Sequence, residues 1–138
     1  MGILGYITIQ VGPALDIAHT MINSLIPLGL QHLHSHEIVH RDIKMENVLM
    51  DERHRIKLTD FGFAQKLLAG AALHDLCGTL SFIAPEMIQA EMGLNEAGYG
   101  KGVDLWACGV LLYTLLTGQP PFYHSRQVLG SPLLFTWF

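Results

Sequence analysis

Four side chains suited to phosphoryl chemistry lie close together in the sequence. Asp42, Lys44 and Asn47 occur in the segment HRDIKMENVLM, and Asp60 follows a short apolar run. An aspartate can orient an attacking hydroxyl and accept its proton, and a lysine can neutralise a phosphoryl group during transfer. A carboxylate and an amide oxygen suit Mg²⁺, which takes few protein ligands and shares its other positions with phosphate and water. Because positioning and charge neutralisation do most of the work in phosphoryl transfer, these residues predict a site for that reaction.

A β-hairpin is predicted between Asn47 and Asp60. The β-forming run NVLM ends at Met50, the polar segment DERHR reads as a turn, and IKLT occupies 56–59. The two strands would bring Asn47 and Asp60 to the same end of the hairpin. The spacing of the residues therefore predicts that the two candidate Mg²⁺ ligands lie close together.

Helices are predicted on both sides of this hairpin. Apolar residues recur at helical spacing over 20–36, where Pro27 lacks a backbone donor and is expected to kink or shorten the helix. A second helix is predicted over 84–91, because Pro85 suits the first turn of a helix. The flanking elements are therefore mainly helical.

The longest apolar run, VDLWACGVLLYTLLTG, predicts a helix over 102–117 that is buried on nearly all sides and capped by Gly118. It is too short to cross a bilayer, which takes about 20 residues. Residues 63–83 have no periodic pattern and predict a long loop, which inside a compact domain is usually either functional or a sign that the elements are wrongly assigned.

Composition excludes several classes of protein. The chain has 138 residues, is 50% hydrophobic and 14% charged, and carries a net charge of −4. With only eight Lys and Arg it cannot form a strongly basic face for nucleic acid. Its apolar character also predicts some apolar surface without cover. We expect no membrane span, although the apolar segment 1–19 leaves a membrane anchor open as an alternative to packing on the first helix.

Histidines and cysteines offer weaker alternatives. His32, His34, His36 and His40 alternate near a helix end, which leaves a metal site open beside the more common solvent-facing arrangement. The two cysteines are too few for a disulfide framework and indicate a reducing compartment, so a cytoplasmic location is expected. Both are interpreted as small buried residues, with a redox role as the alternative.

The motifs HRDIKMEN, DFG and APE, in this order, resemble those of the protein kinase family. The resemblance implies that four residues are catalytic: Asp42, Lys44, Asn47 and Thr79. It implies that Asn47 and Asp60 hold Mg²⁺, and that ATP, the phosphoryl donor, is bound by Lys44, Glu46, Asn47, Leu49 and Asp60. Lys44 and Thr79 are similar to the serine/threonine branch, in which the threonine bonds the catalytic aspartate and lysine.

Within the family, segments such as DFGFAQ, CGT and GYGKGVDLWACGVLLYTLLTG most resemble the catalytic (gamma) subunits of phosphorylase kinase. Another branch, the calcium/calmodulin-dependent kinases, stays open. The resemblance implies a protein substrate, a role in glycogen metabolism, and possible regulatory subunits and calmodulin as partners. It places Leu49 under the adenine, Glu46 near the ribose or a basic substrate residue, and Asp104 against the backbone around His40 and Arg41.

The segment between Asp60 and Thr79 contains no Ser, Thr or Tyr. Kinases with an arginine before the catalytic aspartate usually pair it with a phosphorylated residue of this segment. Here Asp75 is the acid available to Arg41. We therefore expect Asp75 to pair with Arg41 as a fixed substitute for phosphate.

The predicted fold is mainly α with a small β-hairpin, like the large (C-terminal) lobe of a protein kinase and incomplete at both ends. The kinase-like part is expected over 20–129, between unassigned segments at 1–19 and 130–138. No Lys or Arg precedes Arg41 and no phosphate-binding glycine motif is found there, so we expect little or no activity from this chain alone. Two alternatives are an inactive fragment that acts as an interaction module and a chain that does not fold alone.

Overall fold

A long helix, α1, begins the part of the chain that this computed structural model describes, which is residues 15–53 and 55–122. Helix α1 covers 15–35 and includes a π-helical stretch, Met21–Leu30, followed by an α-helical end, Gln31–Ser35. It begins before the predicted start at residue 20. Of the two effects expected of Pro27, a kink or a shortening, the shortening does not occur, because wider turns with bonds to the fifth preceding residue continue past it.

Within the described residues, four short strands form two separate antiparallel pairs. They are β1 (Ile38–Val39), β2 (Val48–Met50), β3 (Ile56–Leu58) and β4 (Gln65–Lys66). The β2–β3 pair is the predicted hairpin, with Val48 opposite Leu58. The β1–β4 pair was not predicted, because strands of two residues are too short to show an alternating pattern.

The predicted loop over 63–83 is anchored to the rest of the fold at several points. Besides β4, it contains a single bridge between Leu73 and Tyr99 and a 3₁₀ turn, Leu80–Phe82. The amide of Leu67 also bonds the carbonyl of Glu37. The segment is therefore irregular, as expected, but its path is fixed by contacts distant in sequence.

Two further helices are confirmed. Helix α2 (Pro85–Glu91) has its proline at the first turn, where the missing N–H has no helical partner in any case. Helix α3 (Gly102–Thr117) ends at Gly118, whose φ of 77° is the left-handed conformation typical of a glycine cap.

Helix α3 joins two hydrophobic clusters. One contains Met21, Leu30, Ile43, Val48, Ala107, Cys108 and Leu111. The other contains Val39, Leu73, Ala84, Met87, Ala90, Tyr99 and Val103. Because α3 contributes side chains to both clusters, it positions the segment 39–43 relative to the loop over 63–83.

The prediction that α3 is buried on nearly all sides is wrong. Leu105, Tyr113 and Leu116 each keep about half or more of their surface exposed. The expected uncovered apolar surface is therefore present on this helix, opposite the face that packs into the clusters. Among the described residues, no helix is both long and apolar enough to span a membrane. The first 14 residues of segment 1–19 and the whole of 130–138 lie outside the described residues.

The glycine cap of α3 gives a test of these conformations. Gly118→Ala should lower the free energy of unfolding by about 1 kcal/mol, because alanine is strained at positive φ even though no atom lies within 4 Å of its Cβ. Gly109→Ala is the matched control within the same helix. It also meets no atom within 4 Å and should raise stability by about 0.5–1 kcal/mol. Urea unfolding followed by circular dichroism measures both free energies of unfolding. Equal changes in the two variants would contradict the assignment of Gly118 as a left-handed cap of α3.

Candidate functional site

Asp42, Lys44 and Thr79 form a closed hydrogen-bonded triangle. The Lys44 Nζ lies 2.8 Å from Asp42 Oδ2 and donates to Thr79 Oγ1 at 2.9 Å. The Thr79 hydroxyl donates in turn to Asp42 Oδ1 at 2.8 Å. Both carboxylate oxygens of Asp42 are therefore held in place, and Asp42 itself is buried. Thr79 lies 37 residues beyond Asp42 in sequence, so only the fold brings them together.

Asn47 extends this group. Its amide nitrogen donates to the backbone carbonyl of Asp42 at 2.8 Å and to Asp42 Oδ2 at 3.1 Å. The residue is buried at the end of a 3₁₀ turn, Met45–Asn47, just before β2. With its nitrogen engaged by Asp42, the amide oxygen is the atom of this side chain left to bind a cation.

Asp60 lies at the same end of the hairpin as Asn47. The backbone N–H and the side-chain hydroxyl of Thr59 both donate to the carbonyl of Asn47, at 2.9 and 3.2 Å. Asp60 follows directly, exposed, with a positive φ of 58°. Its Oδ1 accepts a bond from the amide of Gly62, which steadies the carboxylate. One carboxylate and one amide oxygen at one end of a hairpin fit the ligand set that Mg²⁺ prefers.

Glu46 and Leu49 are exposed beside this group and are not part of its hydrogen-bond network. In the segments that the structure covers, no cluster of three or more His, Cys, Asp or Glu could hold a metal ion. The alternating histidines have separate contacts: His34 bonds Asp104, His40 lies 3.1 Å from the carbonyl of Thr59, and His36 contacts His32.

Asp104 fixes the backbone just before Asp42, as expected. Its two carboxylate oxygens accept the amides of His40 and Arg41, each at 2.9 Å. Arg41 has a φ of 67°, which is unfavourable for a residue with a side chain, and these bonds stabilise it. A third donor, His34 Nε2 at 2.8 Å, was not predicted. The helical spacing around His34 gave no signal for this bond, because Asp104 lies 70 residues away in the sequence.

The backbone of Gly78 passes very close to that of Arg41. A Cβ at position 78 would lie 2.4 Å from the carbonyl oxygen of Arg41 and 3.6 Å from Asp42 Oδ1. Gly78 also has a φ of 90°. Glycine is therefore required here on two grounds, and the close approach delivers the next residue, Thr79, to Asp42.

The predicted pair of Arg41 and Asp75 is present. Arg41 Nη1 donates to both carboxylate oxygens of Asp75, at 2.8 and 2.9 Å. Arg41 also donates to the carbonyl of Phe63, the side-chain oxygen of Gln65 and the hydroxyl of Tyr99. Sequence reasoning missed Tyr99, because its type and position within the segment GYGKG indicated only a loop.

Charge and burial act in opposite directions on the pKa of Asp42. Burial alone would raise this pKa, but the hydrogen bonds from Lys44, Thr79 and Asn47 hold it below its ordinary value of 3.8. The hydrogen bond to Asp42 raises the pKa of Lys44, and the carboxylates of Glu46 and Asp60 add to this effect. Asp42 is therefore an ionised acceptor and Lys44 a charged donor near neutral pH.

Substitution of Gly78 tests the close approach to Arg41. Gly78→Ala and Gly70→Ala both place alanine at positive φ. Only the Cβ added at position 78 meets backbone atoms, since a Cβ at position 70 has no non-neighbouring atom within 4 Å. Gly78→Ala should therefore cost about 1–3 kcal/mol more in the free energy of unfolding. Urea titration of the two variants gives the difference. Equal losses would mean that position 78 tolerates a side chain.

The pKa of Asp42 should respond to its lysine partner. Because that pKa is lower in the folded state, Asp42 contributes stability above its unfolded pKa, and this is lost as the pH falls through the folded value. Lys44→Met should raise the folded pKa of Asp42 and weaken this acid dependence. Carboxyl ¹³C NMR titration measures the shift, with Lys57→Met, an exposed lysine on β3, as control. An unchanged pKa of Asp42 would contradict the assigned contact.

The chain is similar to several known protein kinases. The chain is 48% identical over 124 residues to the phosphorylase b kinase gamma catalytic chain, liver/testis isoform, of Mus musculus, covering 90% of this chain and 30% of that protein. It is 45% identical over 111 residues to the cAMP-dependent protein kinase catalytic subunit PRKX of Mus musculus, covering 80% and 29%. For the developmentally-regulated protein kinase 1 of Dictyostelium discoideum, the identity is 43% over 109 residues, covering 79% and 15%.

A family model described as Protein kinase domain matches residues 13–131. This range includes the triangle of Asp42, Lys44 and Thr79 and both residues at the hairpin end, Asn47 and Asp60. On the family match and on identities well above 30% over most of its length, the chain belongs to the protein kinase family.

Proposed function

We propose that this chain carries the phosphoryl-transfer residues of a serine/threonine protein kinase, which moves the γ-phosphate of ATP to a hydroxyl of a protein substrate. The observation that carries the proposal is the triangle in which Lys44 and Thr79 hold the buried carboxylate of Asp42. A structural ion pair alone would not require a threonine hydroxyl bonded to both partners. The arrangement suits a carboxylate that must keep one orientation toward an incoming hydroxyl.

Each side chain of the triangle has a distinct role in this proposal. Asp42, ionised at neutral pH, accepts the hydrogen bond of the substrate hydroxyl and orients it for attack. Lys44 neutralises charge on the phosphoryl group in transfer. Thr79 occupies the other carboxylate oxygen of Asp42 and so positions the acid without reacting itself.

Asn47 and Asp60 would hold Mg²⁺ through one amide and one carboxylate oxygen, and the ion would neutralise the phosphates of ATP. The exposed side chains of Glu46 and Leu49 lie beside this end of the hairpin. We assign Leu49 to the adenine and Glu46 to the ribose or to a basic residue of the substrate. Their exposure supports contact with a ligand instead of a structural role.

We assign the described residues to the large lobe of the kinase fold, and the chain to a phosphorylase kinase-like branch that acts in the cytoplasm on glycogen metabolism. The identity to the phosphorylase b kinase gamma chain supports this branch. The chain spans 30% of the length of that relative, so substrate, regulatory subunits and calmodulin are proposals by analogy.

A second candidate function is that of a non-catalytic interaction module. The uncovered apolar side chains on α3, Leu105, Tyr113 and Leu116, favour it, because exposed apolar surface of this kind often marks an interface. Such a module would not need to bind nucleotide. Nucleotide affinity therefore separates the two candidates.

Magnesium-dependent binding of ATP tests the proposed function. Isothermal titration calorimetry on the chain should show ATP binding in Mg²⁺ that is lost in EDTA. Asp60→Asn should weaken that binding about tenfold or more, because a neutral amide replaces a metal-binding carboxylate. Glu52→Gln, an exposed acid in the hairpin turn, is the matched control for loss of one negative charge.

Transfer to a basic serine peptide, followed with radiolabelled ATP, tests the chemistry separately. We expect little or no transfer from the chain alone, and whatever transfer it shows should fall about a hundredfold or more in Asp42→Asn, which should leave ATP binding in place. If the chain folds but has no affinity for Mg²⁺–ATP, that result would instead favour the interaction module.

A further inference from the structure

One side of helix α3 is a continuous apolar stripe that the described residues leave exposed. The stripe consists of Leu105, Gly109, Tyr113 and Leu116, and 52% of Leu105, 49% of Tyr113 and 60% of Leu116 are accessible to solvent. At about 100° of rotation and about 1.5 Å of rise per residue, these positions share one side of the helix over about 16 Å. Single exposed leucines are common, whereas a continuous apolar surface usually marks a contact. We call this surface the α3 stripe.

The opposite side of α3 is covered by helix α1. Met21 and Leu30 of α1 belong to the same buried cluster as Ala107 and Leu111 of α3, and Ile17, near the start of α1, packs against that cluster. Ala107 and Leu111 lie across the helix axis from the α3 stripe. The chain before residue 15 therefore joins the fold on the side of α3 away from the stripe.

The chain after α3 returns to the edge of the stripe. Phe122 stacks on Trp106, with ring centroids 5.4 Å apart and ring planes inclined by 9°. Trp106 directly follows Leu105 in the first half of α3, so the chain reverses its direction after Gly118 and runs back along the helix. Residues 123–138 therefore continue from a point beside the α3 stripe.

The last residues of this sequence have the composition of a buried segment. Residues 132–138 read PLLFTWF, and residues 127–138 carry no charged side chain. The match to the protein kinase family model stops at residue 131 and does not account for this segment. Its large apolar side chains favour burial by about 25 cal/mol for each Å² removed from water. These side chains are Leu133, Leu134, Phe135, Trp137 and Phe138.

We propose that segment 132–138 of this chain binds the α3 stripe, so that the chain covers its own apolar surface. Residues 123–131, which connect Phe122 to this segment, can span about 30 Å when extended, about twice the length of the stripe. Both surfaces are apolar and free of charged side chains, so the contact is hydrophobic. Because the two surfaces belong to one chain, their effective concentration is on the order of millimolar.

This contact involves none of the residues assigned to phosphoryl transfer, so the proposal does not rest on the proposed function. It bears on the second candidate function, that of an interaction module. A partner protein could reach the α3 stripe only after segment 132–138 is displaced. Segment 132–138 therefore competes with any partner for this surface.

Fluorine NMR of the whole chain tests the contact. The chain has two tryptophans, Trp106 and Trp137, so labelling with 5-fluorotryptophan gives two signals, which Trp137→Phe assigns. The difference in fluorine shift between H₂O and D₂O measures the exposure of each ring to solvent. In the folded chain, the difference for Trp137 should be less than about half of that in the urea-unfolded chain, because the ring is then buried on the stripe.

A charge on the stripe should release the segment. Leu116→Asp should lower the equilibrium constant for the contact about tenfold or more and return the exposure of Trp137 toward the unfolded value. Leu94→Asp is the matched control, because Leu94 lies after α2, away from the stripe, and is 58% exposed. It should leave the Trp137 signal unchanged. Nuclear Overhauser contacts between Trp137 and the methyl groups of Leu116 in the unsubstituted chain decide the matter if Leu116→Asp does not fold.

Dilution separates contact within one chain from contact between two copies. The Trp137 signal should be the same at about 1 mM and about 0.05 mM chain, whereas a contact between copies would weaken on dilution. A concentration-dependent signal would overturn the proposal and assign the stripe to a second copy. An exposed Trp137 in the folded chain would overturn it and leave the stripe open to another protein. Equal responses to Leu116→Asp and Leu94→Asp would also overturn it.

Discussion

The carboxylate of Asp104 is the contact on which the rest of the site depends. It is fully buried on α3 and accepts three hydrogen bonds, from the side chain of His34 and from the amides of His40 and Arg41. A buried charge destabilises the folded state unless hydrogen bonds compensate for its lost hydration. Loss of any of the three donors would therefore be unfavourable, which keeps them in contact with the carboxylate. The end of α1 and the backbone before Asp42 are thereby fixed to one point of α3.

That single constraint orients the two neighbouring side chains in different directions. With its φ at 67°, Arg41 directs its guanidinium toward the loop over 63–83, where it meets Asp75 and Tyr99. Asp42 instead faces Lys44 and the hydroxyl of Thr79. Asp75, which binds Arg41, is only four positions before Thr79, which binds Asp42. A fixed position of Asp75 therefore favours a fixed position of Thr79. The position of the loop and the arrangement around Asp42 are therefore coupled through the short segment between Asp75 and Thr79.

Sequence patterns predicted the elements whose signal is local. The hairpin of β2 and β3, the proline at the start of α2 and the glycine after α3 each follow from residues within a few positions of one another. The two-residue strands β1 and β4 and the π-helical turns of α1 lack such a signal and were missed. The outer face of α3 was misjudged, because an apolar sequence indicates a preference for burial but not which elements are present to cover it.

The sequence by itself determined which chemical groups are available: an acid, a lysine and an asparagine near a hairpin, a second acid after it, and an acid in reach of Arg41. The predictions for the first four groups depend on residue type and on short spacing, whereas the pairing of Asp75 with Arg41, 34 positions away, was implied by the resemblance to kinases. Only the tertiary structure decided how Asp104 binds three donors, why Gly78 must lack a side chain, and that Tyr99 reaches both Arg41 and Asp75. These contacts join residues separated by tens of positions, and their strength depends on burial, which exists only once the chain has folded.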